Sequence, residues 1–244
     1  MKKIAALTLA ILILIPSVPA KGSLAFPLFQ KGVSYVTWSQ DSFAGKLSDN
    51  NIELMPEYGI NCVAVIPTWY QEEYNSTEIK RTDRTPTDAS IKHVIRKIHK
   101  KGMFVLLKPH IDLLNGDGLC RSDIGFQQQA DWDRWFANYK KFITHYAKIA
   151  ESENVEFFSV GTELTFASQK TGSWKDLIIP AVRKLFTGHI TYAANWDEYK
   201  DVKFWELLDY AGIDAYFSLS RKRIPSYQDI KEGWKEWLAD IEKW

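Results

Sequence analysis

Six short apolar runs, each followed by a stretch with helical periodicity, constrain this chain more than any other feature. The runs are residues 33–37, 61–66, 103–108, 155–160, 190–194 and 210–214, nearly all apolar rather than alternating. Strands buried on both faces of a parallel sheet have this pattern. Pro67, Pro109 and Gly161 close the second, third and fourth. Between the runs, Trp132, Trp135, Phe136, Tyr139, Phe142, Ile143, Tyr146, Ala147 and Ala150 recur at i, i+3, i+4, i+7, which predicts the strongest helix, with Asp131 as its cap. Thr87 caps a predicted helix carrying Ile91, Val94, Ile95 and Ile98 and stopping at Gly102. Ser173 caps another, with Trp174, Leu177, Ile178, Val182 and Leu185, which Pro180 should kink or split. Ile230, Trp234, Trp237, Leu238 and Ile241 make the last.

Repeated β-then-α order specifies an α/β fold with a parallel sheet and crossover helices. An open doubly wound sheet and a closed (β/α)8 TIM barrel both satisfy it. Six βα units are present rather than eight, and a complete barrel takes about 250 residues. If the fold is a barrel, only its first six units are expected here.

The N-terminus reads differently. Met1-Lys2-Lys3 precedes an apolar run over 4–15, and Val18-Pro19-Ala20 ends the segment in small residues. The run falls short of the roughly 20 residues a membrane span needs. A secretory signal peptide cleaved after Ala20 is expected, hence export to a periplasmic or extracellular space, with no stable membrane insertion afterwards. No cysteine lies near the cleavage site to suggest a lipoprotein. The 31 Lys+Arg against 30 Asp+Glu argue against bulk-charge binding to nucleic acid. Two cysteines, Cys62 in a strand and Cys120 in a loop, cannot form a disulfide framework or a four-thiolate metal site, though one disulfide remains open after export. Asn75-Ser76-Thr77 is a glycosylation sequon, meaningful only in a eukaryotic route.

In both architectures chemistry sits at the C-terminal ends of the strands. There the sequence places Trp38, then Pro67-Thr68-Trp69-Tyr70, then Lys108-Pro109-His110-Ile111-Asp112, then Gly161-Thr162-Glu163-Leu164, then Asn195-Trp196, then Asp214-Ala215-Tyr216. No GxGxxG follows the first strand, and neither GxxxxGK[ST] nor GxSxG occurs, so phosphate cradles and a serine elbow are absent. Aromatic rings beside hydrogen-bonding groups suit a sugar, whose ring faces stack while its hydroxyls need directional partners. The 10 Trp, 11 Tyr and 13 Phe supply such rings in quantity. Glycosidic cleavage needs two carboxyl groups, and Glu163, directly after a strand, is the first candidate. Trp38, Trp69 and Trp196 are candidate sugar platforms, whereas helix residues Trp132, Trp135, Trp174, Trp234 and Trp237 fit a core stripe. His110 and Asp112 could ligate a metal or contact a sugar. No third ligand stands at suitable spacing, so no metal is expected. Lys108 is either a buried lysine paired with a carboxylate or a hydroxyl donor. His93, His99, His145 and His189 are expected on solvated faces. The stretch 112–129 reads as a long, functional mouth loop.

Val160-Gly161-Thr162-Glu163-Leu164, Lys108-Pro109-His110, Ala194-Asn195-Trp196 and Gly212-Ile213-Asp214-Ala215-Tyr216, in that arrangement of strand ends, resemble glycoside hydrolase family 113. The resemblance runs from about Lys31 onward. It implies a clan A (β/α)8 barrel, endo-β-1,4-mannanase-like activity, a retaining mechanism, no cofactor, and a β-linked polysaccharide or oligosaccharide as partner. Glu163 matches the family's general acid/base. Many clan A members carry Asn immediately before that glutamate, where this chain has Thr162. The family's nucleophile is a glutamate ending strand seven, and no residue here matches it. Asp214 is expected to bind a sugar hydroxyl or orient a neighbour instead, alongside Lys108, His110, Asp112, Asn195, Trp196 and Tyr216. The expected organisation is a signal peptide over 1–20, a linker over 21–30 and an incomplete catalytic barrel over 31–244, inactive and unstable alone. A non-catalytic carbohydrate-binding protein and a clan A glycosidase acting on another β-glycan are the alternatives.

Overall fold

The computed structural model describes residues 29–244; the signal peptide expected over 1–20 and most of the linker lie outside the described residues. All six expected strands form. They are β1 (Gly32–Val36), β2 (Cys62–Ile66), β4 (Phe104–Leu107), β6 (Phe157–Thr162), β7 (His189–Asn195) and β8 (Tyr210–Asp214). β3 (Thr68–Gln71) and β5 (His110–Leu113) continue β2 and β4 beyond Pro67 and the Lys108-Pro109 pair, and join in a small parallel sheet of their own.

Strand order decides between the two architectures. The main sheet runs β1-β2-β4-β6-β7-β8, every pair parallel and every neighbour the next strand of that sheet along the chain. A doubly wound sheet reverses direction at a switch point, and this one never does. An ion pair also shows that the sheet curls. Lys108 at the end of β4 reaches Asp214 of β8 at 2.8 Å to both carboxylate oxygens. In a flat sheet three strand spacings would hold those strands about 14 Å apart. The described residues thus form a six-stranded arc of a (β/α)8-type barrel.

The convex face of the arc carries Val63, Val65, Val105, Leu107, Phe158, Val160, Ile190 and Tyr192, all fully buried in one cluster with the helices. Helix α2 (Asp88–Lys100) buries Ile91, Val94, Ile95 and Ile98, and its Thr87 cap accepts from the Ser90 N–H at 3.2 Å. Helix α3 (Gln129–Ser152) buries the whole predicted aromatic stripe. It begins at Gln129, so Asp131 lies in the first turn rather than at the cap; there it pairs with Arg134. After the short α1 (Lys46–Leu54) and α4 (Thr165–Ser168), the predicted 173–185 helix is divided. Ser173–Ile178 is a π-helical segment with no side-chain cap, and α5 (Ile179–Arg183) restarts with Pro180 in its first turn, where the missing N–H is not needed.

Other expectations are corrected. His93, His99 and His145 keep part of their surface in solvent, but each also has an acidic partner, Asp49, Glu156 and Asp88, at 2.8, 3.2 and 3.0 Å. His189 lies in β7, its ring stacked on that of Phe157. Trp132, Trp135 and Trp174 are core, but Trp234 is exposed on α6 (Tyr227–Lys243), none of whose residues is fully buried. That helix leans on the arc through Trp237, which stacks on Phe217 at 4.2 Å. Cys62 is buried and Cys120 exposed, both free thiols.

Candidate active site

Glu163 owes its position to an irregularity. The β6–β7 register shifts between Ser159 and Thr162, and bulges of this kind re-aim the residues that follow. The strand does not close at Gly161 as expected; it runs through to Thr162. Gly161 is obligatory for packing, because a Cβ there would lie 2.8 Å from both Trp174 and Tyr192. Glu163 then adopts φ +51°, a left-handed conformation that costs a non-glycine residue energy and clusters at functional sites. Its N–H is held by the Ala193 carbonyl at 2.8 Å. The next N–H, of Leu164, donates to the Tyr192 hydroxyl (2.9 Å), which donates to Glu198 (2.6 Å); Glu198 also accepts from the Asn195 N–H (2.9 Å). One buried carboxyl thereby ties the ends of β6 and β7 together. Burial pushes the Glu198 pKa up against those hydrogen bonds, and the nearby Glu163 charge adds to the rise.

The Glu163 side chain, mostly buried, accepts a hydrogen bond at Oε2 from Arg121 Nη1 at 2.8 Å. Arg121 also pairs with Asp112 and donates Nε to the Ile111 carbonyl at 3.1 Å. Burial works against the guanidinium charge, but Asp112 and Glu163 outweigh it and raise the Arg121 pKa. His110, two residues before Asp112 and on the same strand face, is pushed well below 6.5 by burial and then by the Arg121 and Lys108 charges, so it is neutral at pH 7. Burial also raises the Tyr70 pKa, with Asp112, its register partner across β3–β5, contributing. Four buried side-chain polar atoms make no hydrogen bond among the described residues, and three of them are here: Tyr70 Oη, His110 Nε2 and Thr162 Oγ1. Buried polar atoms without partners are rare enough to need an explanation, and an enclosed bridging water is the ordinary one.

The strand ends thus carry two groups, the Lys108–Asp214 pair and the Asp112–Arg121–Glu163 cluster, and His110 feels the charges of both Lys108 and Arg121. Lys108 is the buried lysine of the two readings, committed to Asp214. Asn195 meets Glu198 through its backbone N–H, while its side-chain oxygen accepts from the Trp196 N–H at 2.9 Å. Trp69 joins neither group. Strand alternation turns it away from Tyr70 and Asp112 and onto α3, where its indole donates to Tyr146 Oη at 2.8 Å and packs on Phe142. Its platform role is replaced by packing. Trp38 and Tyr216 project into solvent, 61% and 78% exposed, and Trp196 lies edge-on to Trp237 of α6. No group of three or more metal-ligating side chains occurs among the described residues. Sequence reasoning missed Arg121 and Glu198, and placed Tyr70 at a strand end without singling it out. Within 112–129 it chose Asp112 but not Arg121, and it chose Trp69 where β-strand parity selects Tyr70.

The model of glycoside hydrolase family 113 matches residues 34–244. A solved GH113 β-1,4-mannanase is 29% identical over 88% of this chain and 67% of its own, with a TM-score of 0.78. A second, determined as a complex, is 28% identical over 88% and 69%, with a TM-score of 0.77. The GH113 β-mannanase AaManA from Alicyclobacillus acidocaldarius, in complex with ManMIm, shares the fold at 24% identity, 88% and 68% coverage and a TM-score of 0.75. A search of curated protein sequences gave no match. The chain spans about two thirds of the length of these solved relatives.

Proposed function

The chain belongs to glycoside hydrolase family 113, and we propose that it is an exported, β-mannan-directed glycosidase in which Glu163 is the general acid/base of a retaining mechanism. The observation that carries this reading is Glu163 itself: a strained, left-handed residue at a barrel strand end, held by backbone and guanidinium while its Oε1 makes no hydrogen bond among the described residues. Oε1 would deliver a proton to the glycosidic oxygen as a second carboxylate attacks the anomeric carbon. Glu163 would then take a proton from the water that releases the sugar.

The second carboxylate is not evident among the described residues. Asp112 is held by Arg121, Asp214 by Lys108, and Glu198 by Tyr192 and Asn195. Each has a structural commitment, whereas a retaining nucleophile must be free to attack at about 5–5.5 Å from its partner. These 244 residues by themselves would accordingly bind mannan oligosaccharide without cleaving it. Reducing-end release from mannan, glucan and xylan tests this. No release from any substrate, together with mannohexaose binding, fits the proposal; robust turnover of mannan by the 244-residue chain contradicts it.

A further inference from the structure

Glu163 is bracketed by two peptide groups, and both are held. Its own N–H donates to the Ala193 carbonyl at 2.8 Å, and the N–H of Leu164 donates to the Tyr192 hydroxyl at 2.9 Å. Peptide groups are planar, so fixing the plane on each side of a residue fixes its φ and ψ together. A φ of +51° on a glutamate persists only where the surroundings over-determine it. The Ala193 anchor comes with the sheet, since Ala193 is paired with Gly212 in the β7–β8 ladder. The Tyr192 anchor does not. Its ring is packed against Trp174 and Phe204, with centroids 5.4 Å away in each case, but its O–H remains a rotor that can point at Leu164 or away from it.

Glu198 settles that direction. The turn after β7 closes from the Glu198 N–H to the Asn195 carbonyl at 3.0 Å. The side chain then accepts from the Tyr192 hydroxyl at 2.6 Å with one oxygen and from the Asn195 N–H at 2.9 Å with the other. A Tyr192 proton committed to Glu198 leaves an oxygen lone pair for Leu164, and donation to a carboxylate makes that oxygen a better acceptor. Burial, and then the Glu198 charge, hold the Tyr192 pKa well above 10, so the hydroxyl keeps its proton. Glu198 and Tyr192 are both buried, and the groups that favour the Glu198 charge are Tyr192, Asn195 and Ser168, none of them a cation. A buried carboxyl without a cation destabilises a fold unless its oxygens are used. A glutamine of the same size offers one acceptor and one donor. It would either release the Asn195 N–H or turn a donor towards Tyr192, whose own proton would then be driven towards the Leu164 N–H.

We propose that Glu198 is a positioning residue for Glu163: through the Tyr192 hydroxyl it orients the hydrogen bond that holds the Leu164 peptide, and with it the left-handed backbone of the acid/base. Only the description of Glu163 as the acid/base rests on the function proposed above; the hold itself is a property of the 244-residue chain. The test is made on that chain labelled with ¹⁵N and ¹³C. Amide hydrogen exchange at Leu164 and the ¹³Cα signal of Glu163 are read beside the amides of β2 and the urea midpoint, which report global stability. Tyr192→Phe should speed Leu164 exchange roughly tenfold or more beyond any change in β2, as the loss of one buried hydrogen bond requires, and should move the Glu163 signal. Glu198→Gln should act in the same direction although Tyr192 is still present. The double variant should be no faster than Tyr192→Phe alone, because members of one chain of bonds are not additive. In the unsubstituted chain a Tyr192 hydroxyl proton with a nuclear Overhauser contact to the Leu164 amide is expected. That measurement needs no variant to fold, and its absence would overturn the proposal. A lower urea midpoint in Glu198→Gln with Leu164 exchange and the Glu163 signal unmoved would make Glu198 a structural residue and nothing more. An additive double variant would show that Glu198 does not act through Tyr192. None of these readings depends on catalysis, so a failure of the function proposed for Glu163 is told apart from a failure of the hold.

Discussion

Arg121 is the residue on which the site turns. Its guanidinium lies between Asp112 and Glu163 with a third bond to a backbone carbonyl, so three acceptors converge on one planar cation. Removing one partner from a buried ion pair costs about 3–5 kcal/mol, an upper bound here because the carboxylates retain some solvent contact. Arg121→Ala should therefore lower the urea midpoint clearly. Arg121→Lys should recover only part of the loss, since a lysine cannot span both carboxylates in the same fork. An unchanged midpoint in the alanine variant would show that the cluster contributes nothing. His110 makes a prediction in pH. Its folded pKa is depressed, so the unfolded chain takes up a proton first as pH falls through 6.5. Stability attributable to His110 is complete above 6.5 and is lost as pH falls from there towards the lower folded value, by up to about 1.4 kcal/mol per pH unit. Denaturant titrations from pH 7.5 to 5 should show that slope, and His110→Gln should flatten it.

At the scale of elements, the strands were legible because nothing local competes with them: continuous apolar runs of five or six residues between helical patterns fit a two-sided parallel sheet and little else. The site was legible only in part. Strand ends located Glu163, Lys108, His110, Asp112 and Asp214, since the barrel confines chemistry to one rim. Trp69 was misplaced because its face depends on β3 being a separate two-stranded extension with β5, which no periodicity reveals. Arg121 lies in a turn, Arg121–Asp123, whose position depends on tertiary contacts alone. The β6 bulge was equally hidden, yet Gly161 is its visible trace. Gly161→Ala should force a methyl against Trp174 and Tyr192, at a cost of about 1–3 kcal/mol for overpacking. Thermal unfolding measures it; a variant as stable as the parent would mean that β6 and the aromatic layer can separate freely.

For the whole molecule, the arc matters more than any one strand. Its inner face carries the Lys108–Asp214 tie, while β1 and β8 each pair on one side only among the described residues. Val36 on β1 and Tyr210 on β8 are exposed, at 38% and 48%. Unpaired edges beside apolar side chains invite association with further strands. Sedimentation of the purified 244-residue chain should therefore show concentration-dependent self-association, and a strict monomer up to high concentration would show the edges to be protected.

The most direct test of the role proposed for Glu163 is made in a barrel that carries a second carboxylate. The 244-residue chain would be joined to the last two βα units of a solved mannanase relative and assayed for reducing ends on mannohexaose. The joined protein should turn over. Glu163→Ala should lower its rate on mannohexaose by about 10²–10⁴-fold, the usual share of a general acid/base, and on an aryl β-mannobioside, whose leaving group departs without a proton, azide should restore the rate with formation of a β-mannosyl azide. Full activity in Glu163→Ala, or a loss that azide leaves untouched, would contradict the role given to Glu163.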